Sequence, residues 1–263
     1  MSLPVKATGI HLRIERTKHH FEELKVIVGE FQVSEPYTIG AKHHPDTRKL
    51  IYYVSGVAPM PPLVPVLVGE VLHGFRTSLD HMAYQLVVAA GGTPSKQSAF
   101  PVFKDAAEYK AQSPGKVKGM RKDMIDAINA LELYKGGKGH QFWVLHELNN
   151  IDKHRLLLTA GSAFRSMDLG YIASRALREA FPDKDFGPPI SAFFKPADRM
   201  CPLKAGDELY IGAPDEKPDE NLKFAFDIAL AEPQITESES LTETLHQLGQ
   251  LVVATLAELD KLL

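Results

Sequence analysis

The chain has 263 residues, 44% hydrophobic and 24% charged, the proportions of an ordinary folded protein and not of a disordered one. Its formal net charge of −3 excludes a global attraction to nucleic acid or acidic lipid, so any phosphate-binding role must rest on a local patch. A single cysteine, Cys201, excludes an internal disulfide and a cysteine-built metal cage. The opening residues lack the basic-then-apolar pattern of a secretory signal, and apolar runs such as 63–68 are too short to span a bilayer. The expectation is a cytoplasmic protein with no membrane partner.

In chain order, Ile10, Ile14, Phe21, Leu24, Val28 and Phe31 recur at helical spacing, with Thr8 as N-cap. Tyr37, Ile39 and Ala41 alternate with polar or small residues, and Leu50–Val54 is a β-rich return, so a hairpin turns at His44-Pro45-Asp46-Thr47. Pro61-Pro62 separates it from the longest helix, Leu63 to Ala90, which Gly91-Gly92 stops. Phe100-Pro101-Val102-Phe103 reads as an extended apolar link. Helices follow at Asp105–Gln112, Arg121–Leu133 and, after Gly136-Gly137-Lys138-Gly139, His140–Leu157. The Pro- and Gly-rich stretch from Gly161 to Asp198 carries no clear period. Glu208–Ile211 and Lys223–Leu230 read as strands of a long hairpin, and Ser240-Leu241-Thr242-Glu243 is a capping box opening the last helix.

These elements predict one α+β domain over 1–263, mainly a helical bundle with a small antiparallel β-sheet. The bundle comprises about 8–31, 63–158 and 238–263, and the sheet comes from hairpins at about 36–57 and 205–231.

At about 100° per residue, the longest helix has two faces. Val64, Val68, Val71, Leu72, Phe75, Leu79, Met82 and Leu86 form an apolar stripe. Glu70, His73, Thr77, Asp80, His81 and Tyr84 lie opposite, with Arg76 at the border. In the segment 149–155, Asp152 and Arg155 fall beside Leu145, Leu148 and Leu156, whereas His146, Asn150, Lys153 and His154 fall on the other side. A charge on an apolar face must be paired. One reading therefore makes Asp152, Arg155, Asn149 and Asn150 a structural network, with Asp152 and Arg155 paired to each other or crossing to Arg76 and Asp80.

The segments Phe75-Arg76-Thr77-Ser78-Leu79-Asp80-His81 and Leu148-Asn149-Asn150-Ile151-Asp152-Lys153-His154-Arg155 resemble the hallmarks of a widespread bacterial family without an assigned activity. That family pairs an L-R-x-x-L-D-H helix with an L-x-N-x-D-K-H-R segment, joined through a Phe-Pro link like Phe100-Pro101. The resemblance covers the middle third of the chain. Phe75 replaces the usual leucine, and Leu133-Tyr134 stands where Gln-Pro-Tyr is common. More remotely, Arg76 to His81 resembles the R-x4–6-H motif of HEPN ribonucleases, although Thr77 is a weak match to the usual polar residue and Arg13 with His19 satisfies the spacing too.

The HEPN resemblance implies a metal-independent ribonuclease composed across a homodimer, with RNA as partner and no cofactor. Cleavage through the 2′-hydroxyl needs a base and an acid, roles that suit histidine, and a cation beside the phosphate. His81 is then base or acid, Arg76 the phosphate clamp, His154 and Lys153 the complement, and Asp80 or Asp152 a residue that orients a histidine. Arg76 and His81 nonetheless diverge by about 140° around the helix.

Two rival readings stand beside it. Glu70 and His73 form an E-x-x-H with both groups on one helix face, as in carboxylate-bridged metal bundles, and Glu243 and His246 repeat the spacing. Alternatively the chain is a non-catalytic dimerisation or ligand-binding module whose Arg/Asp/His network is a scaffold. The basic run Lys116–Lys122 is a possible phosphate contact. Ser162, Ser166 and Cys201 lack the glycine-flanked elbow of a hydrolase nucleophile.

Overall fold

Apolar residues at helical spacing draw the long helices around one core. The computed structural model describes residues 8–155, 160–168, 170–187, 193–194, 200–219, 222–232, 234–236 and 240–263. Among these, α1 (Thr8–Val33), α2 (Leu63–Ala89), α5 (His140–Arg155) and α7 (Leu241–Asp260) pack together, with α2 touching all three others. The shorter α3 (Ala106–Lys116) and α4 (Lys122–Asn129) lie between α2 and α5 in the chain. Every residue of the α2 stripe, from Val64 to Leu86, is buried. Each stabilises the fold by roughly 1.5–3 kcal/mol relative to exposure. No described helix is long and apolar enough to cross a membrane.

Helix ends follow local chemistry in most places. Gly91 takes a φ of +76°, and the Gly92 N–H donates to Val87 O at 3.0 Å, which closes α2 where the paired glycines predict. Asp105 caps α3 by accepting from the Glu108 N–H at 2.9 Å. The expected capping box at Ser240 does not form, because its hydroxyl meets Thr242 Oγ1 at 3.3 Å instead. α4 stops at Asn129 and not at Leu133. The chain turns there, with Glu132 at φ 50°, so that Leu133 O can accept from the Phe103 N–H at 3.0 Å. The predicted continuation of α5 to Leu157 lies outside the described residues.

The strands form two three-stranded antiparallel sheets where one was expected. β1 (Tyr37–His43) and β2 (Lys49–Val57) make the predicted hairpin, and β5 (Glu208–Pro214) adds to the other edge of β2. β3 (Ala160–Asp168) is the centre of the second sheet, between β4 (Phe193–Phe194) and β6 (Phe224–Leu230). β5 and β6 are thus strands but not a hairpin. Each finds an edge supplied by a distant segment, and the loop between them crosses from one sheet to the other. A short α6 (Gly170–Ala180) follows β3. Along β6, Phe224 and Phe226 face the gap between the sheets, while Ile228 and Leu230 join the helical core. Phe224, Phe226, Ile228 and Leu230 alternate with Lys223, Ala225, Asp227 and Ala229, a pattern that predicts one buried face, but Asp227 and Ala229 on the opposite face are buried too.

Candidate functional site

Registers between helices follow from close contacts. A side-chain carbon at Gly69 would lie 2.5 and 2.6 Å from the carboxylate oxygens of Asp152, and Arg76 Nε donates to His146 Nδ1 at 3.3 Å. α2 and α5 therefore run antiparallel. On the other side of α2, His20 Nδ1 meets Glu70 Oε2 at 3.0 Å, and Thr17 lies where a Gly74 side chain would go, so α1 is antiparallel as well. Helical geometry then sorts the polar residues of α2. Gly69, Arg76 and Asp80 fall within about 40° of one another, toward α5. Glu70, Gly74 and His81 fall within about 40° of one another, toward α1, with His73 between the two sets. The polar arc is thus a floor flanked by two helices.

Toward α5, the network centres on Phe100. Its ring is buried against Phe142, with centroids 5.6 Å apart. Its N–H donates to Asp80 Oδ1 at 2.9 Å, and its carbonyl accepts from Arg76 Nη2 at 2.9 Å. Both polar groups of this buried peptide are therefore satisfied by α2 side chains, as a buried backbone requires. Arg76 Nη1 lies 2.8 Å from Asp80 Oδ1, a charge contact that is out of hydrogen-bonding alignment. Arg76 is only 7% exposed; burial pulls its pKa below the ordinary value, and Asp80 works against that shift.

His146 completes the network. Burial first, and the charge of Arg76 second, push its pKa down to about 4, so the ring is neutral near pH 7. With Nδ1 accepting from Arg76, its proton sits on Nε2, which meets the Asn150 amide at 3.1 Å. That contact asks for the amide oxygen on the histidine side.

The other predicted residues of α5 take different places. Asp152 stands against Gly69 with its pKa raised by burial, opposed by the nearby charges of His73 and Lys153. It makes no ion pair with Arg76 among the described residues, because the antiparallel register puts it about two turns away. The side chain of Arg155 lies outside the described residues, and with it the expected Asp152–Arg155 pair. Asn149 is buried, and both of its amide atoms lack a hydrogen-bond partner among the described residues. Lys153 and His154 are exposed. His81 and His154 lie on opposite sides of the Arg76–His146 contact, separated by about 20 Å along the helix axes, so they do not converge.

Toward α1, a groove is lined by Arg13, Arg16, Thr17, His20, Glu70 and His73, and its neighbour by His81 and Tyr84, with Gly9 common to both. Thr77 Oγ1 meets His73 Nε2 at 3.3 Å. The pKa of His81 is lowered by burial and by the charge of Arg13, with Asp80 opposing. The arginine whose charge acts on His81 is thus Arg13, which the spacing in sequence matched only with His19. The signal for this face was present in the mid-helix glycines. A glycine weakens a helix by roughly 1 kcal/mol relative to alanine and so marks the close approach of a neighbour, Gly74 that of α1 and Gly69 that of α5.

Glu70 is paired with His20, and among the described residues no group of three or more His, Cys, Asp or Glu is placed to hold a metal ion. The second E-x-x-H also diverges. Glu243 accepts from Gln247 at 2.7 Å, while the His246 ring stacks on Phe21. In the basic run, Arg121 bonds Asp123 and Leu262 O, and Lys122 pairs with Asp126. Comparison with protein-family models, with curated proteins and with solved structures finds no match to this chain.

Proposed function

We propose that this chain is a ligand-binding module in which Arg76, Asp80 and His146 are scaffold and the α1–α2 face is the binding surface for a phosphate-bearing ligand, RNA being the polymer of that class. The supporting observation is the commitment of Arg76. Its guanidinium is buried, donates to Phe100 O and His146, and lies against Asp80, which leaves it no solvent-facing edge for a phosphate. The cations with open faces are Arg13 and Arg16, with His20 and His73 beside them. Phosphates are held by such local cations whatever the net charge of the chain.

The test is anisotropy of a labelled single-stranded RNA, in chelator, at several salt concentrations. Arg13→Gln and Arg16→Gln should each weaken binding and lower the salt slope by about one. Arg76→Lys should leave both unchanged in whatever fraction folds. Equal binding by wild type and the Arg13→Gln/Arg16→Gln double variant would overturn the reading.

A second reading, metal-independent RNA cleavage, is favoured by one observation. His81 and His73 lie on the same side of α2 as Arg13, so two imidazoles and a cation share one face. His81 would take the 2′-hydroxyl proton and solvent water protonate the leaving oxygen, since His73 stands about 12 Å away along the helix and can serve only to hold a neighbouring phosphate. The HEPN resemblance adds a homodimer, which light scattering reports. Cleavage in chelator that survives His81→Ala would sink this reading.

A further inference from the structure

The two sheets stay apart at one end. Between β1, β2, the start of β6 and the loop before it lies a cavity of about 510 Å³. That volume is in the range of small-molecule sites, roughly 300–1,000 Å³. Four aromatic rings wall it. Tyr37 and Phe226 have centroids 4.3 Å apart, and Tyr52 and Phe224 5.6 Å apart. Phe224 and Phe226 are only partly buried, whereas Phe164 on the adjoining strand is sealed in. The gap therefore leaves aromatic surface facing open space.

The charged residues of the lining have one sign. Glu35 and Asp219 contribute carboxylates, Gln32 an amide, and no lysine, arginine or histidine is among the described lining residues. Both acidic positions are fixed by the fold. Tyr52 Oη accepts from the Asp219 N–H at 2.6 Å and reaches Asp219 O at 3.4 Å, so the wall residue pins the loop that carries the carboxylate. Glu35 sits between α1 and β1 with φ at +51°, a conformation that glycine holds at lower energy, yet the chain keeps a carboxylate there.

Aromatic faces carry negative electrostatic potential and attract cations, above all cations with an apolar surface and weak hydration. Carboxylates at the same cavity add to that attraction and repel phosphate. We infer that the cavity between the sheets binds a small organic cation of the quaternary or methylated ammonium class, its apolar body against Tyr37, Tyr52, Phe224 and Phe226 and its charge balanced by Glu35 and Asp219. This site is separate from the α1–α2 face and stands or falls independently of it.

The experiment titrates the whole chain with choline and with dimethylbutanol, its uncharged isostere in which carbon replaces the quaternary nitrogen, by calorimetry and ligand-observed NMR. Choline should bind saturably and at least roughly tenfold more tightly than the isostere. Glu35→Gln, at an exposed position, should weaken choline severalfold without moving the melting temperature. Phe226→Leu should weaken both ligands. Equal affinity for the two ligands, or no saturable choline binding in the tens of millimolar, would overturn the inference. So would a Glu35→Gln variant that is folded and binds choline as wild type does.

Discussion

Arg76 donates to the main-chain oxygen of Phe100 at 2.9 Å, a bond between the middle of the longest helix and a buried link that has no secondary structure of its own. Asp80, one turn on, takes the N–H of the same residue. The pair therefore does for Phe100 part of what a sheet or helix would do: Asp80 satisfies its buried N–H, and Arg76 shares its carbonyl with the Val102 N–H at 3.0 Å.

Removing the arginine should unfold this region first. Arg76→Ala leaves Asp80 without its counter-charge, His146 Nδ1 without its donor and the Phe100 carbonyl with the Val102 N–H alone, and should destabilise by about 3–5 kcal/mol. Arg76→Lys should recover only part of this, because one ammonium cannot reproduce the fork that reaches Phe100, His146 and Asp80 together. Chemical denaturation of the three proteins measures it. A loss below about 1 kcal/mol in Arg76→Ala would show that the network does not hold the fold.

His146 predicts a pH dependence with a definite sign. Its folded pKa of about 4 lies below the ordinary imidazole value, so the unfolded chain binds the proton better. Stability from this group is intact above about pH 7, falls as pH drops through the unfolded pKa near 6.5, and levels off near pH 4. The full effect is on the order of 3 kcal/mol. Carboxylates contribute over part of the same range, so the measurement is a difference. His146→Gln should lose less stability than wild type between pH 7 and pH 4, and parallel curves would contradict the assignment.

Gly74 is the contact that lets α1 and α2 meet. A methyl there collides with Thr17, whose hydroxyl is turned to Arg13 O at 2.8 Å. Gly74→Ala should therefore destabilise by about 1–3 kcal/mol, although alanine is the better helix former. Adding Thr17→Ala should return part of that loss. If Gly74→Ala raises the melting temperature, the helices are not packed at this point as described.

The sequence carried α2 clearly, because its stripe, its polar arc and its glycine stop are all local patterns, and each is where the pattern puts it. The β1–β2 hairpin was legible for the same reason. β3 was not, because a central strand buried on both faces shows no alternation to read. The pairing of β5 and β6 was misread as a hairpin because a turn-rich loop says that strands reverse, not which edge they join. Arg76 was placed at the border of a polar face. Its burial depends on Phe100 and His146, partners that helical periodicity cannot see. The groove residues Arg13, Arg16 and His20 were passed over because the pattern of α1 reports its apolar face alone.

The pairing of β5 with β2 also bears on how the protein is made. β2 is rich in Leu, Ile, Tyr and Val, and one of its edges stays open until Glu208–Pro214 has left the ribosome. At roughly 5–20 residues per second, that interval is on the order of ten seconds. A nascent or prematurely ended chain lacking that segment presents a bare, apolar strand border to its neighbours, the kind of surface that seeds aggregation. Fragments truncated before Glu208 should accordingly collect in the insoluble fraction, and the completed chain should not.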